Sequence, residues 1–410
     1  MSAAHLLIGE VLAWSLVVGA LALPFAGGYP LAYAMMMASL LLIIWWLASR
    51  PRLTELAGTA GIMMVAGVLL IGVAFAATAT KAGDLAYVFN FTMLALFPML
   101  RAALARLARP QAMRWVSVAA LTGAVGATLL AAIQVGLLGY PRAPGFGSDP
   151  IWAAQAALLT GFLAVCGIGQ VASRWRYLFL LGPVFGLIAI VFTGSRGPLL
   201  AALPLLVIAI IMMPGRRLRL VMAALGTAIL VSVLAVVLFT DAGARLRVAA
   251  ETVVTALSAE SKGDPAVGGR LALYAAGLSA FVDAPVAGYG WEQRLAAAYA
   301  RVPGGEAAIT SADPMMRGNH HLHADLLDFG VGAGLLGLAA YALFLAAPFA
   351  GAVASQRDGQ REARMLGAAL LSAAFFFCGL SYIMIGYEFP TTLYVVAAAI
   401  LLGLCGDRRT

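Results

Sequence analysis

Residues 57–79 read AGTAGIMMVAGVLLIGVAFAATA, a run of twenty-three residues without one charged side chain. An α-helix rises about 1.5 Å per residue, so this run is long enough to cross the roughly 30 Å of a bilayer's hydrocarbon core. A helix also satisfies its backbone hydrogen bonds internally, which hydrocarbon requires. The run therefore predicts a membrane-spanning helix.

Eleven further apolar stretches are of the same kind. Hydrophobic residues make up 63% of the 410-residue chain and charged residues only 11%, a mixture from which no water-soluble surface can be built. We therefore predict an all-α fold, a polytopic membrane protein of about twelve transmembrane helices. The twelve stretches are 6–26, 30–49, 57–79, 85–100, 115–139, 151–172, 177–193, 198–213, 220–240, 325–350, 365–385 and 391–405.

Basic residues indicate how the chain is oriented. Sixteen of the 26 Lys and Arg residues fall in short loops on one side of the predicted bundle. Short loops with such an excess stay in the cytoplasm, so both termini are predicted to be cytoplasmic. The net charge of +8 has the same origin, and the expected partners are therefore membrane lipids and not nucleic acid.

One long segment, 241–322, holds seven of the ten basic residues on the opposite side. Leu, Val and Ala recur at helical spacing in 243–260 and 269–283, and a further helical piece is predicted near 291–301. This pattern favours a helical cap on the outer membrane surface over a bare solvated loop. The predicted parts are 1–240 with transmembrane helices 1–9, 241–322 as the large helical loop, and 323–410 with transmembrane helices 10–12.

Cysteine and histidine usage limits the possible chemistry. Cys166, Cys378 and Cys405 all fall in apolar runs. Their positions exclude an extracytoplasmic disulfide framework and disfavour a metal–thiolate site. Three of the four histidines, by contrast, cluster within 320–323. No cofactor is predicted.

Three arginines on the outer side are candidates for binding an anion. Arg196 lies between two glycines that let a ligand come close, Arg142 lies in YPRAPG, and Arg270 follows two glycines at the start of an apolar helical run. A guanidinium matches two phosphate oxygens, so a phosphate or diphosphate is the natural partner. A second reading stays open: interfacial arginines that snorkel to water or, for Arg270, a surface residue of the cap.

The segment 317–328, RGNHHLHADLLD, concentrates more polar side chains than any other part of the chain. A histidine here is suited to act as a general base near neutral pH, with Asp325 or a backbone carbonyl fixing its tautomer. A metal site formed by His321, His323 and Asp325 is a second reading, although a helix from about 323 onward splays these side chains apart. A histidine that only caps the helix is a third.

Two acidic residues have no assigned role. Glu10 lies within the first predicted membrane helix, where ionisable side chains are usually functional or paired. Glu388 lies on the outer side, in YEFP. Two readings stay open for Glu388, a carboxylate that faces the same cavity as the histidines and a solvated carboxylate of a loop.

Together these features resemble the family of O-antigen ligases. The histidine motif of that family is a His followed by Asn, Ser or Gln, nine residues, a Gly, two residues and a small residue. His323, with Gly334 and Gly337 at the required distances, fits this frame. Ala324 departs from it, because the family expects a polar residue there.

Two arginines extend the resemblance. Arg196 is similar to the family's arginine at a Ser-Arg-Gly turn, and Arg270 to the arginine of its large periplasmic loop. The resemblance implies a glycosyltransferase of the bacterial inner membrane with its active site on the periplasmic side. The implied donor is O-antigen linked to undecaprenyl diphosphate, and the implied acceptor is a sugar hydroxyl of lipid A-core.

The implied reaction is one inverting displacement that uses no metal. His323 acts as the general base, Arg196 and Arg270 hold the donor diphosphate, and Arg142 is a further diphosphate contact. Supporting or acceptor-binding roles are predicted for His321, Asn319, Arg317, Asp325 and Tyr274.

Three alternatives to an O-antigen ligase stay open. An O-antigen polymerase and a protein O-oligosaccharyltransferase use the same donor and differ in the acceptor. A secondary transporter belongs to another class, and it would place polar groups in paired broken helices at the bilayer midplane. Here the polar groups gather at the outer helix ends and in one asymmetric loop.

Overall fold

Helices form all the regular structure in the residues that this computed structural model describes, namely 2–147, 149–239, 265–302, 304–305, 307 and 320–406. We number the main helices in chain order. They are α1 (Ala3–Ala22), α2 (Gly28–Ala48), α3 (Thr59–Thr78), α4 (Ala82–Ala105), α5 (Ala112–Leu137), α6 (Pro150–Gln170), α7 (Arg174–Thr193), α8 (Arg196–Met212), α9 (Arg216–Phe239), α10 (Pro265–Asp283), α11 (Arg294–Tyr299), α12 (Asp325–Val353), α13 (Arg361–Gly379) and α14 (Glu388–Leu404).

Each of the twelve apolar stretches predicted from the sequence coincides with one of these helices. Within the described part of the chain, nine helices are long and apolar enough to cross a membrane, and α8 and α14 are shorter apolar helices. The prediction of an all-helical, multi-pass membrane protein is confirmed at this level. The count of twelve crossings and the cytoplasmic location of both termini remain predictions.

The long segment 241–322 contains α10 and α11, at the two positions where helical spacing predicted them. The third predicted helix, 243–260, lies outside the described residues. α10 and α11 pack on each other and on α12. Their shared apolar cluster includes Leu273, Leu322 and Val331, so the described part of the cap rests on the membrane bundle through buried side chains.

α6 is almost entirely buried within the bundle. Glycines let its neighbour α7 approach to backbone contact. A Cβ at Gly161 would lie 2.7 Å from the carbonyl oxygen of Gly182, and one at Gly186 would lie 2.6 Å from that of Ala157. Small residues commonly allow membrane helices to pack this closely. The contact fixes α6, whose first turn reaches the candidate site.

α12 is interrupted at Gly334, whose φ of 61° is a conformation that favours glycine. A Cβ at Gly334 would overlap the backbone of the loop that follows α10. The backbone N–H groups of Leu335 and Leu336 donate to carbonyl groups of this loop, at 2.7 and 3.3 Å. In return, the N–H groups of Tyr289 and Gly290 donate to carbonyl groups of α12, at 2.8 and 3.0 Å. The loop therefore completes the hydrogen bonding of a broken helix.

Ion pairs join the helices at the end of the bundle opposite to this loop. The Glu55 carboxylate accepts hydrogen bonds from Arg106 at 2.6 Å and from the indole of Trp46 at 3.1 Å. The hydrogen bond from Arg106 is the largest cause that lowers the pKa of Glu55 to about 2. Glu10, which had no role assigned from the sequence, forms an ion pair with Arg109. These arginines of the predicted cytoplasmic side therefore also hold neighbouring helices together.

Candidate functional site

The histidine loop, residues 320–323, lies where the long segment 241–322 leads into α12. The N–H of His323 donates to Nδ1 of His321 at 3.1 Å, and the hydroxyl of Tyr274 donates to the carbonyl of His323 at 2.9 Å. His323 has a φ of 56°, a left-handed conformation that non-glycine residues rarely adopt and that clusters at functional sites. The centroids of the two imidazole rings are 4.3 Å apart, and the ring planes meet at 71°. The loop thus presents two imidazoles in one defined arrangement.

Both of these imidazoles are neutral at pH 7. Burial is the main cause that lowers the pKa of His321 well below 6.5 and the pKa of His323 to about 3. The positive charge of Arg270 lowers the pKa of His323 further. Because Nδ1 of His321 accepts a hydrogen bond, its proton lies on Nε2.

Arg294 and Asp328 form a buried ion pair against the histidine loop. Arg294 donates from Nη2 to the carbonyl of His320 at 2.6 Å, and Asp328 accepts from the N–H of Leu322 at 3.1 Å. The guanidinium also lies over the ring of Trp291, 4.1 Å from its centroid. The pair ties the histidine loop to α11 and α12. Sequence reasoning noted Arg294 only as an outer basic residue and missed this role.

Arg270 is half-buried and lies on α10, one turn before Tyr274, whose hydroxyl donates to the histidine loop. Its charge lowers the pKa of both His321 and His323. Its Nε atom is buried, and it has no hydrogen-bond partner among the residues that the structure describes. A buried guanidinium N–H is costly without an acceptor, and a phosphate oxygen is a suitable one.

Arg196 begins α8 at the same end of the bundle. Its neighbour Gly197 packs so closely on Ser381 that a Cβ would overlap the serine side chain. The next residue, Tyr382, has its ring centroid 5.7 Å from that of His323. The turn that carries Arg196 therefore adjoins the histidine loop through Ser381 and Tyr382.

Arg142 forms hydrogen bonds with the turn that precedes α8. It donates from Nε to the carbonyl of Thr193 at 2.7 Å and from Nη2 to the hydroxyl of Ser195 at 3.2 Å. The Ser195 hydroxyl donates in turn to the carbonyl of Pro150, at the start of α6, at 3.2 Å. These contacts support the Ser-Arg-Gly turn. A contact between Arg142 and a diphosphate remains a prediction.

Two positions of the histidine motif, Ala324 and Gly334, mark the N-cap and the interruption of α12. Ala324 is the N-cap residue, and its carbonyl accepts from the N–H of Asp328 at 2.9 Å, but no side-chain oxygen caps the helix. Asn or Ser at this position would supply that oxygen. With alanine at this position, α12 has no side-chain N-cap in this protein. The motif glycine Gly334 is the residue at which α12 is interrupted.

Asp325 is fully buried, and its hydrogen bonds differ from those predicted. Its Oδ1 accepts from the N–H of Met384 at 2.8 Å and of Ile385 at 3.4 Å. It therefore holds the turn 380–387 instead of a histidine ring. Glu388 follows this turn as the first residue of α14. Two further residues predicted for the site lie outside the described part of the chain, Arg317 and Asn319.

Fold and site together define a multi-pass helical membrane protein with histidines and arginines gathered at one end of its bundle. Residues 178–342 match a family model described as O-antigen ligase. The match covers less than half of the chain, and it contains Arg196, Arg270 and His323. The resemblance to the O-antigen ligase family is confirmed over this segment. No curated protein matches the sequence.

Proposed function

We propose that the protein is a membrane glycosyltransferase that transfers O-antigen glycan from undecaprenyl diphosphate to a sugar hydroxyl of lipid A-core. The observation that carries this proposal is the neutral His323 beside the cationic Arg270, inside the segment that matches the family. A neutral imidazole accepts a proton, and an adjacent guanidinium stabilises an anionic leaving group. An inverting, metal-independent transfer from a lipid diphosphate makes use of both groups.

In the proposed reaction, His323 is the general base of a single displacement. As the acceptor oxygen attacks the anomeric carbon, the imidazole takes the hydroxyl proton. The bond between the sugar and the diphosphate breaks, and its electron pair leaves with the diphosphate. Because no protein nucleophile takes part, the anomeric configuration inverts. The Nε2–H of His321 is suited to donate to an acceptor hydroxyl.

Donor binding prepares the base in this mechanism. The charge of Arg270 is, after burial, the second cause of the low pKa of His323. A diphosphate bound to Arg270 offsets that charge, so the pKa of His323 rises toward the range where imidazole is an effective base. The base therefore becomes stronger when the leaving group is in place.

The histidine loop faces the periplasm in this proposal. Support comes from α4, whose C-terminal end carries Arg101 and continues to Arg106, in one of the loops rich in arginine. Its N-terminal end is joined to the outer segment by an ion pair between Lys81 and Glu292, at 3.1 Å. Because short arginine-rich loops stay cytoplasmic, the opposite end of the bundle is the outer one.

A transfer assay with the purified protein tests the proposal. The protein in lipid nanodiscs receives undecaprenyl-diphosphate-linked O-antigen and lipid A-core, and NMR reads the new linkage. We expect transfer to lipid A-core with inversion at the anomeric carbon. A product with the donor's configuration, or no transfer, would contradict the proposal. Transfer to a second lipid-linked glycan or to a protein would instead identify one of the two alternative transferases.

Lysine in place of Arg270 or Arg196 is expected to raise the donor KM about 10- to 100-fold, the equivalent of roughly 1.5–3 kcal/mol for a charged hydrogen bond. An ammonium group cannot reproduce the two parallel hydrogen bonds that a guanidinium makes to phosphate oxygens. EDTA is expected to leave the activity unchanged, because arginines neutralise the diphosphate.

Arg301→Lys is the matched control for these variants. Arg301 belongs to the same outer segment and pairs with Asp283 at its surface, so the variant should keep the wild-type donor KM. An unchanged donor KM in both Arg270→Lys and Arg196→Lys would rule out the diphosphate clamp. Strict dependence on Mg²⁺ or Mn²⁺ would rule it out as well.

A further inference from the structure

The turn between α13 and α14, residues 380–387, lies outside the segment that matches the family, yet it contacts each part of the site. The carbonyl of Leu380 accepts a hydrogen bond from Tyr274 at 3.3 Å, and Ser381 packs on Gly197. Tyr382 packs on His321 and His323. The hydroxyl of Tyr387 donates to the carbonyl of His320 at 2.8 Å.

Side chains from two helices fix the conformation of this turn. Asp325 of α12 accepts from the N–H of Met384 at 2.8 Å. The hydroxyl of Thr391 in α14 accepts from the N–H of Gly386 at 2.9 Å. Backbone amides that are satisfied in this way hold a turn in one conformation. The side chains that the turn carries are therefore held in defined places.

Tyr382 is the residue of the turn that meets both imidazoles. Its ring centroid lies 4.9 Å from that of His321 and 5.7 Å from that of His323. Its hydroxyl donates to Oδ2 of Asp149 at 2.8 Å. The other oxygen of Asp149 accepts from the N–H of Ile151 at 2.7 Å, in the first turn of the buried helix α6. The Tyr382 ring is thus anchored at its hydroxyl end by the side chain of Asp149, the N-cap residue of the buried helix α6.

Histidine rings need such support, because rotation about the Cβ–Cγ bond has only broad preferences. A catalytic group must be held within about 0.5 Å of its productive position. A displacement of 1 Å can lower the rate about 10²-fold. Packing against one anchored ring restricts both imidazoles at once.

We infer that Tyr382, anchored by Asp149, is a positioning residue that fixes the imidazole rings of His321 and His323 toward the acceptor hydroxyl. This inference rests on the proposed function and extends the site to a turn beyond the family match. Tyr382 itself takes no proton from the acceptor. Its hydroxyl is engaged with Asp149, and burial raises its pKa well above 10.

A double-mutant cycle tests this inference. Tyr382→Phe and Asp149→Ala are each expected to lower kcat about tenfold, because each removes one partner of the same hydrogen bond and leaves the aromatic ring in place. The double variant should also lose about tenfold, since two changes to one interaction do not add. Tyr382→Leu removes the ring and should lose about 100-fold. The donor KM should stay unchanged throughout, because the arginines are untouched.

Tyr33→Phe is the matched control, because Tyr33 is an exposed tyrosine near the outer end of α2 whose ring contacts Tyr29. It should keep the wild-type kcat. Losses that multiply in the double variant, a donor KM that rises in step with the fall in kcat, or full activity in Tyr382→Leu would overturn the inference. Failure of the proposed function looks different, because the unmutated protein would then transfer no glycan, and the inference would fall with it.

Discussion

Replacing His323 with alanine is expected to slow glycan transfer by about 10²–10⁴-fold, the usual effect of losing a general base. The acceptor hydroxyl would then attack with its proton still in place. His321 cannot take over through Nδ1, because that atom accepts a backbone hydrogen bond that alanine at position 323 retains. Donor binding, which the proposed function assigns to Arg270 and Arg196, should persist. Single-turnover transfer and donor-lipid binding, measured on the same purified variant, separate the two effects.

His320→Ala is the matched control, because its exposed side chain is removed while its carbonyl, which Arg294 and Tyr387 contact, is kept. It should retain wild-type turnover. The pH profile gives a second measurement. Because the pKa of His323 lies at about 3, kcat/KM should stay level between about pH 8 and pH 6. Near-normal turnover in His323→Ala, or an acid limb of kcat/KM near pH 6.5, would contradict the assignment.

The second large effect that we expect is a loss of stability when the buried ion pair between Arg294 and Asp328 is broken. Arg294→Met is expected to lower the free energy of unfolding by about 3–5 kcal/mol, because it leaves the fully buried Asp328 without its cation. The same change removes a hydrogen bond to the carbonyl of His320. Thermal unfolding of the purified protein, followed by tryptophan fluorescence, measures the loss.

Replacing both members of this pair separates stability from positioning. Arg294→Met combined with Asp328→Leu removes both charges and should recover most of the lost stability. Transfer should stay low, because the carbonyl of His320 and the N–H of Leu322 each lose a partner. Arg301→Met, at a more exposed ion pair, is the control and should unfold much as the wild type does. A double variant as unstable as Arg294→Met would contradict this account.

The membrane helices could be predicted because each one must by itself be long and apolar enough to cross the hydrocarbon core of a bilayer. The run 57–79 needed only its own length and apolarity to be identified, and it forms α3. Arg270 was a candidate anion-binding residue because two glycines and a helical run surround it, while a surface residue of the cap stayed open as a second reading. Its placement beside the histidine loop gives physical support to the role that the family resemblance implies.

The contacts that build the site could not be predicted, because they join residues that lie far apart in sequence. Nothing local connects Arg294 to Asp328, which follows 34 residues later. Tyr382 and Asp149 are separated by 233 residues, and neither belongs to a recognisable motif. For Asp325, proximity in sequence pointed to the wrong hydrogen-bond partner. Its nearness to His323 in sequence suggested a contact with an imidazole, whereas its hydrogen bonds reach amides about sixty residues away.

The interruption of α12 at Gly334 constrains the order in which the protein assembles. The loop after α10 is synthesised before α12, but it can dock only when the helix is present to receive it. Because unpaired amides are costly in hydrocarbon, we expect the opening of α12 at Leu335 and Leu336 and the docking of the loop to occur together. For the proposed transferase, we therefore expect activity only after the loop that follows α10 has docked on α12.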